Sequence, residues 1–571
     1  MVQYNGSTAA STTTSCASAK TYAYDLAGNR TRFVLTKDGA AVHNIVYQYD
    51  VLNRLTKVYQ NSTLCATYAY DVNGNRTKLS YPVTQTDTTY TYNKANWVTG
   101  MTSVDNGTTL VDYSYTYYAS GNQKSVTDKD GIVTSYTYDG LGRLTKESET
   151  GGLTVQYTYD AAGNRTEMDV SGTKTTYTYD KNNRLTQESK EVGTGVTTTT
   201  YLYDANGNLR QKSTPNGAEQ YEYNSFNQLV QLRQGSEVAV YTYNASGIRT
   251  SKQVGTSTTH YLLDGGDVVA EFTNGTPTAR YLRGINLISR TATSGTAYYL
   301  HNAHGDVVAL TDSTGAVTKR YDYDAFGNEE NPSDSDTNPF RYCGEYFDKE
   351  TETYYLRARY YDPSIGRFTQ QDTHWSPANA IYGDNPRKIN ERQDALGLNT
   401  YAYAPEITAI MQSGNLYVYC VNSPVMYVDR TGNLLHLALA GGGTIATGAA
   451  NFWNPVGWYI LGGLAVLVIG SILIEDASSD GTPVVLSESS GAISTPASPP
   501  PNNNDDDNED YKKVSNNKMG HIFKNHAPRT VAKQVSRNPS FLKKPSLIKC
   551  GVMRKSEKLL RKAIIMLCQW V

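Results

Sequence analysis

Acid, base and cation fall together in one short stretch of this chain, GHIFKNHAPRT, which carries His521, His526 and Arg529 with Lys524 between them. Two histidines and a cation are the groups a metal-independent ribonuclease needs. One imidazole takes the ribose 2′-proton, the other returns a proton to the leaving oxygen, and a guanidinium holds the phosphate. Histidines five residues apart do not share a helical face, so the spacing leaves the alternative of ordinary surface histidines open. The surroundings favour an anionic partner. Residues 511–571 hold 15 Lys and Arg against one acid, Glu557, a formal net of +14, so the first 510 residues sum to −16 beneath a whole-chain −2. A basic segment of this kind suits RNA or DNA, because cations that neutralise phosphates release counterions.

Three changes of composition separate this tail from the rest. Residues 475–510 are rich in Ser, Pro, Asn and Asp and read as a disordered linker. Residues 434–474 contain no Asp, Glu, Lys or Arg, and 455–474 (PVGWYILGGLAVLVIGSILI) are long enough to cross a hydrocarbon layer of roughly 30 Å as a helix. The expectation is a hydrophobic helical segment that enters a target-cell membrane, with a weaker glycine-rich helix before it. An ordinary anchor and an internally packed apolar tail are the alternatives. The six cysteines are spread singly, without CxxC spacing, so neither a disulfide framework nor a zinc site is indicated, and no cofactor or metal is expected. The first twenty residues lack the basic and apolar regions of a secretory signal.

The elements that would carry these groups begin with repeats. YAYDLAGNRT at 22 recurs as YQYDVLNRLT at 47, YAYDVNGNRT at 68, YTYDGLGRLT at 136, YTYDAAGNRT at 157, YTYDKNNRLT at 177 and YLYDANGNLR at 201, with weaker copies at 90, 115, 221 and 241. A period of about 20–25 residues signals a repeat architecture. In Tyr-x-Tyr both rings fall on one face of a strand, since side chains alternate with period two. The aspartate closes the strand as an Asx-turn, Gly-Asn supplies positive φ, and Arg-Thr starts the return strand. Each unit is expected to be a hairpin, and the joined hairpins one antiparallel strip. The 47 tyrosines against 10 phenylalanines suit such half-dry faces, and an exposed tyrosine face could stack carbohydrate. Further on, Tyr354, Tyr355, Tyr360 and Tyr361 flank Leu356-Arg357-Ala358-Arg359, which reads as another strand with its arginines on a solvated or paired face.

The YxYDxxGNRT units, followed by DYDAFGN, FRYCGEYFDKETETYYLRARYYDPSIGRF and PVMYVDRTG, resemble the RHS or YD-repeat proteins with an RHS-associated core domain, a family of polymorphic toxins. The resemblance implies a mainly β fold: a spiral antiparallel sheet forming part of a hollow shell (1–320), the core domain (321–433), the hydrophobic segment (434–474), the linker (475–510) and a small basic variable region (511–571). It implies an encapsulated C-terminal toxin, an immunity protein as partner, secretion or display at the cell surface, and a chain that is the C-terminal part of a longer or truncated one. It also implies two aspartate motifs that cut the chain just after the second. The second motif maps to Asp429-Arg430-Thr431-Gly432, where Arg430 stands in place of the family's proline, and places the cut after Asn433. The first maps either to Asp372, by distance from Gly366-Arg367-Phe368, or to Asp394 in Asp394-Ala395-Leu396-Gly397. Paired carboxyls can share one proton, leaving one as base and one as acid; plain turn aspartates are the alternative. Two functions follow: a toxin-delivery protein with self-cleavage and an RNase cargo, or a non-enzymatic YD-repeat surface protein that binds carbohydrate.

Overall fold

In the computed structural model, residues 2–3, 18–383 and 406–438 are described. Thirty strands, from Val2–Gln3 to Val317–Arg320, form one sheet in which each strand pairs antiparallel with the next in sequence. The mainly β, hairpin-built expectation matches this architecture.

The turn chemistry explains why the hairpins form where they do. Asp71 Oδ1 accepts the backbone N–H of Asn73 and of Asn75 at 2.9 Å each, and Gly74 takes φ +90°, a conformation closed to most L residues. Position four after the aspartate then links one turn to the next. Where it is asparagine, its amide bridges its own aspartate to the asparagine of the following repeat: Asn75 reaches Asp71 Oδ2 at 2.9 Å and Asn96 Oδ1 at 2.8 Å. Where it is arginine, the guanidinium does the same work. Arg54 Nε lies 2.7 Å from Asp50 Oδ2, and its Nη1 donates to the Asp71 carbonyl at 3.1 Å.

From Tyr47 onward both rings of the Tyr-x-Tyr pairs fall on the inner face; in the first repeat Tyr22 is half-buried and Tyr24 is exposed. The first is buried, as in Tyr157 and Tyr177, and packs beside the buried leucines of the return strands, Leu144 and Leu185. Each such side chain contributes roughly 1.5–3 kcal/mol. The second ring reaches across the ribbon, its hydroxyl donating to a carbonyl of the preceding hairpin: Tyr70 to Leu55 at 2.7 Å, Tyr159 to Leu144 at 2.7 Å, Tyr179 to Arg165 at 2.7 Å. These rings are thus engaged inside the fold rather than laid out as an exposed sugar-stacking face.

The strip coils, so that its start meets its late strands. Tyr22 donates to Asp264 Oδ1 at 3.0 Å, His43 Nε2 lies 2.8 Å from the Val269 carbonyl oxygen, and Tyr81 donates to the Tyr299 carbonyl at 3.1 Å. A single core holds Phe33, Leu35 and Val58 together with Leu262, Ile288 and Leu300.

A second, four-stranded sheet follows: Tyr346–Asp348, Thr353–Leu356, Arg359–Asp362 and Arg367–Phe368. Here the structure corrects the sequence reading. The stretch around Leu356-Arg357-Ala358-Arg359 is a hairpin, not one strand, because Arg357 takes φ +63° and Leu356 pairs with Arg359. Of the two faces expected for its arginines, solvated or paired, the paired one is present. Arg359 is buried, and Arg357 pairs with Glu345 and with Asp267 Oδ1, the latter at 3.0 Å.

The start of the expected hydrophobic helix is also different. His436–Leu437 is a short strand paired with Tyr427–Val428, and Ala438 N–H donates to Met426 at 2.8 Å. Residues 439–474, the linker and the basic tail lie outside the described residues. Among the described residues no helix is long and apolar enough to cross a membrane.

Candidate functional site

The core segment is held against the ends of the YD turns, and this contact positions its aspartates. Asn164, whose amide nitrogen is held by Asp160, turns its Oδ1 to Arg367 Nη1 at 3.1 Å and to Asn415 Nδ2 at 2.7 Å. Tyr417 donates to the Gly207 carbonyl at 2.9 Å, Asn422 Nδ2 to Gly163 at 2.7 Å, and Leu209 N–H to Thr369 at 2.9 Å. Residues 369–372 and 415–422, 43 or more positions apart in sequence, are thereby docked side by side on the same row of turns.

Arg359 sits between them. Its Nη2 lies 2.8 Å from Asp372 Oδ2 and 3.7 Å from Asp429 Oδ2, its Nη1 donates to the Leu416 carbonyl at 3.0 Å, and its Nε donates to the Gly432 carbonyl. The guanidinium carbon stands 3.5 Å from the centre of the Phe368 ring. Asp372 and Asp429 are both 4% exposed, so two carboxyls share one cation out of water.

Their environments push both acids upward. Burial raises the Asp429 carboxyl to about 6; Arg359 and the Thr431 and Gly432 amides oppose that rise, and the charge of Asp372 adds to it. Burial also raises Asp372, against the pull of Arg359. Burial lowers Arg359, but a guanidinium stays charged across this range. The arrangement suits a pair in which, below about pH 6, Asp429 holds a proton beside an ionised Asp372.

Local backbone fixes the second motif. Asp429 Oδ1 accepts the Thr431 and Gly432 amides at 3.1 and 2.8 Å, forming an Asx-turn. Gly432 takes φ +74°, and a Cβ there would stand 2.5 Å from the Leu356 carbonyl oxygen and 2.9 Å from the Arg359 nitrogen, so only glycine lets Arg359 close on this carbonyl. Behind the carboxyls lies a cavity of about 10 Å³, lined by Arg359, Asp372, Cys420, Val421 and Asp429 among others, enough for one water centre. Its wall includes Cys420 (φ 46°) and Val421 (φ 50°), the first two of three successive residues with left-handed φ that end at Asn422 (60°). A β-branched residue held there stores strain of order 1–3 kcal/mol, and such strain gathers at functional sites.

The structure brings Asp372 and Asp429 together. Asp394, His521, His526 and Arg529 lie outside the described residues. Sequence reasoning passed over Arg359, which looked like one of two interchangeable strand arginines. Its place in YYLRARYY, inside a run of tyrosines otherwise destined for the core, was the available signal.

Two family models match this chain over different stretches. The RHS Repeat model matches residues 49–86, 117–154, 142–170, 159–194 and 203–239, and the Teneurin YD-shell model matches residues 274–410. Among curated proteins, the tRNA3(Ser)-specific nuclease WapA of Bacillus spizizenii is 32% identical over 240 residues, 40% of this chain and 9% of that protein. The tRNA nuclease WapA of Bacillus subtilis is 30% identical over 256 residues, 43% of this chain and 10% of that protein. The chain thus spans about a tenth of the length of these relatives. Among solved structures, the Photorhabdus luminescens Tc holotoxin pore aligns over 74% of this chain and 22% of its own, at 17% identity and a TM-score of 0.49. With YD hairpins between residues 49 and 239 matched by the repeat model and residues 274–410 by the YD-shell model, the chain belongs to the RHS/YD-repeat family.

Proposed function

We propose that this chain is the shell and release segment of an RHS-type toxin-delivery protein, which frees a C-terminal toxin by aspartate-dependent self-cleavage near residue 433. The observation that carries the reading is the convergence of Asp372, Asp429 and the Gly432 carbonyl on Arg359. In this reading Asp372, ionised beside the guanidinium, takes a proton from a water in the small cavity. That water adds to the peptide carbonyl, the Arg359 Nε–H stabilises the oxyanion, and Asp429, the more strongly raised acid, gives its proton to the leaving nitrogen. The polarised carbonyl belongs to the Gly432–Asn433 peptide, one bond before the Asn433–Leu434 peptide indicated by motif spacing.

The released cargo would be the basic region 511–571, with His521 and His526 as acid and base and Arg529 on the phosphate. The names of the curated relatives, both tRNA nucleases, support a nuclease over other cargoes. Such a protein acts outside the producing cell and needs an immunity protein as partner.

Mass spectrometry of the purified full chain tests the cleavage. Wild type should yield two fragments, with Asn433 or Leu434 as the new N-terminus, and Asp429→Asn should stay whole. An intact wild-type chain, or a variant cut at the wild-type rate, would remove the proteolytic claim. Expression of residues 511–571 in a bacterial host should arrest growth with loss of RNA if the cargo reading holds.

A further inference from the structure

Away from the Asp372–Asp429 centre, three side chains of metal-ligating type face one another: His304, Asp306 and Cys343. The first two belong to the turn that joins strands Gly295–His301 and Val307–Thr311, closed by Gly305 N–H to Asn302 at 3.2 Å. Cys343 lies in the 3-10 turn Tyr342–Gly344 and is held at φ 55°, a left-handed value uncommon for a residue with a side chain. The positions are 37 and 39 residues apart, so no spacing rule brings them together.

All three ligand atoms lie within 4.8 Å of one another, and the two edges that meet at His304 are near those of a coordination tetrahedron. His304 Nδ1 stands 2.9 Å from Asp306 Oδ1 and 3.9 Å from Cys343 Sγ. Bonds of about 2.0–2.1 Å to N and O and about 2.3 Å to S, at tetrahedral angles, require edges of about 3.3 Å for N–O and about 3.6 Å for N–S. One edge must open and the other close by less than half an ångström. The surroundings fix the ligands from behind. Asp306 Oδ1 accepts the Cys343 N–H at 2.8 Å and its Oδ2 the Asn302 amide at 2.8 Å, while His304 Nε2 faces the Tyr427 carbonyl oxygen at 3.4 Å. A carbonyl that takes the second imidazole proton is the usual means of orienting a histidine ligand. All three groups are largely out of water, with side-chain exposures of 11% for His304 and 9% for Asp306, and with Cys343 5% exposed beside Tyr419.

We propose that His304 Nδ1, Asp306 Oδ1 and Cys343 Sγ form a binding site for a borderline-soft divalent cation, foremost Zn2+. The mixed N, O and S set excludes Mg2+ and Ca2+, which take oxygen ligands. On binding, the Cys343 thiol and the His304 Nδ1–H that faces Asp306 each give up a proton to solvent, and the imidazole keeps the one on Nε2, directed at Tyr427. The fourth position falls to the Tyr419 hydroxyl, 3.5 Å from Cys343 Sγ, or to a water from the adjoining cavity of about 800 Å³ that His304 and Asp306 line. The site ties a late hairpin of the repeat sheet to the core turn and, through Tyr427, to the segment that carries Asp429. It does not rest on the self-cleavage reading.

The test uses the full chain in a Cys550→Ser/Cys568→Ser background, stripped with chelator and titrated with Co2+. One equivalent should bind with a thiolate-to-cobalt charge-transfer band, and Zn2+ should displace it. Cys343→Ser should abolish the band, His304→Gln and Asp306→Asn should weaken binding by about 10- to 100-fold or more, and Cys65→Ser should leave it unchanged. Absence of the band in the parent chain, or its persistence in Cys343→Ser, would overturn the proposal. Should Cys343→Ser fail to fold by circular dichroism, zinc-edge absorption on the parent protein decides: one sulfur with nitrogen and oxygen neighbours is expected, and a shell with no sulfur overturns the site.

Discussion

At the scale of single residues, the decisive property of this protein is burial of acids with incomplete compensation. Asp429 and Asp372 share one guanidinium. Glu147 has none: burial, then Asp324, Glu330 and Glu149, raise it to about 8, and its one hydrogen-bond donor described is the Ala325 amide at 3.1 Å. The sign of its effect follows from linkage. A carboxyl whose folded value lies above its unfolded value binds more protons when folded, so its contribution to stability is greatest below about 4.5. That contribution is lost as pH rises toward about 8, by up to roughly 1.4 kcal/mol per pH unit. Glu147→Gln keeps an acceptor for Ala325 and removes the ionisation. Its melting temperature should exceed that of the parent at pH 8.5 and match it near pH 4.5; thermal scans at the two pH values check this, and an equal gap at both would refute it.

At the scale of elements, the small core sheet is fastened to the repeat sheet by charge as much as by packing. Asp348, fully buried on strand Tyr346–Asp348, accepts Arg249 Nη2 at 3.0 Å and pairs with Lys252 at 2.8 Å, while five tyrosine rings surround the Arg249 guanidinium. Arg249→Ala leaves Asp348 buried with a single cation and should destabilise the fold by about 3–5 kcal/mol. Urea denaturation reads the loss, and a change under 1 kcal/mol would show the pair to be dispensable. The YD turns play a second role here. The asparagine at position four closes its own hairpin, links to the next repeat and, at Asn164, also receives the core segment. The turn motif was legible as turn chemistry in the sequence; its use as a docking row was not, because the partners Arg367 and Asn415 lie over 200 residues away.

At the scale of the whole described sheet, coiling brings its early strands against its late ones. The contact that closes the first turn of the coil is Arg30 with Asp264, 2.5 Å apart, with Tyr22 on the same carboxylate. Both charged side chains are mostly out of solvent, at 19% and 12% exposure, which places the pair between surface and buried cases. Asp264→Asn should loosen the early strands against the late ones without unfolding either run, since each strand keeps its neighbours in the ladder. Limited proteolysis should then cut first within residues 18–60, and hydrogen exchange should rise there ahead of residues 257–300. Uniform loss of protection would instead indicate that the sheet unfolds as one body.

What the sequence determined by itself is what short-range physics can write. A period of about 20–25 residues, Tyr-x-Tyr on one face, aspartate and glycine in the turn and Arg-Thr opening the return strand are all local, and they specify an antiparallel hairpin strip without reference to anything distant. The resemblance of the core motif to a known family extended this to the paired aspartates. What only the tertiary structure decided is every relation across the coil. Arg359 became the common partner of Asp372 and Asp429 because two turns of backbone dock on the same row of hairpins. His304, Asp306 and Cys343 met because a hairpin end and a 3-10 turn pack together. A repeat with period two along each strand says which face is inward, but which inward residues meet depends on how far the sheet twists and coils. That accumulates over many strands and is set by packing, not by any single stretch of sequence.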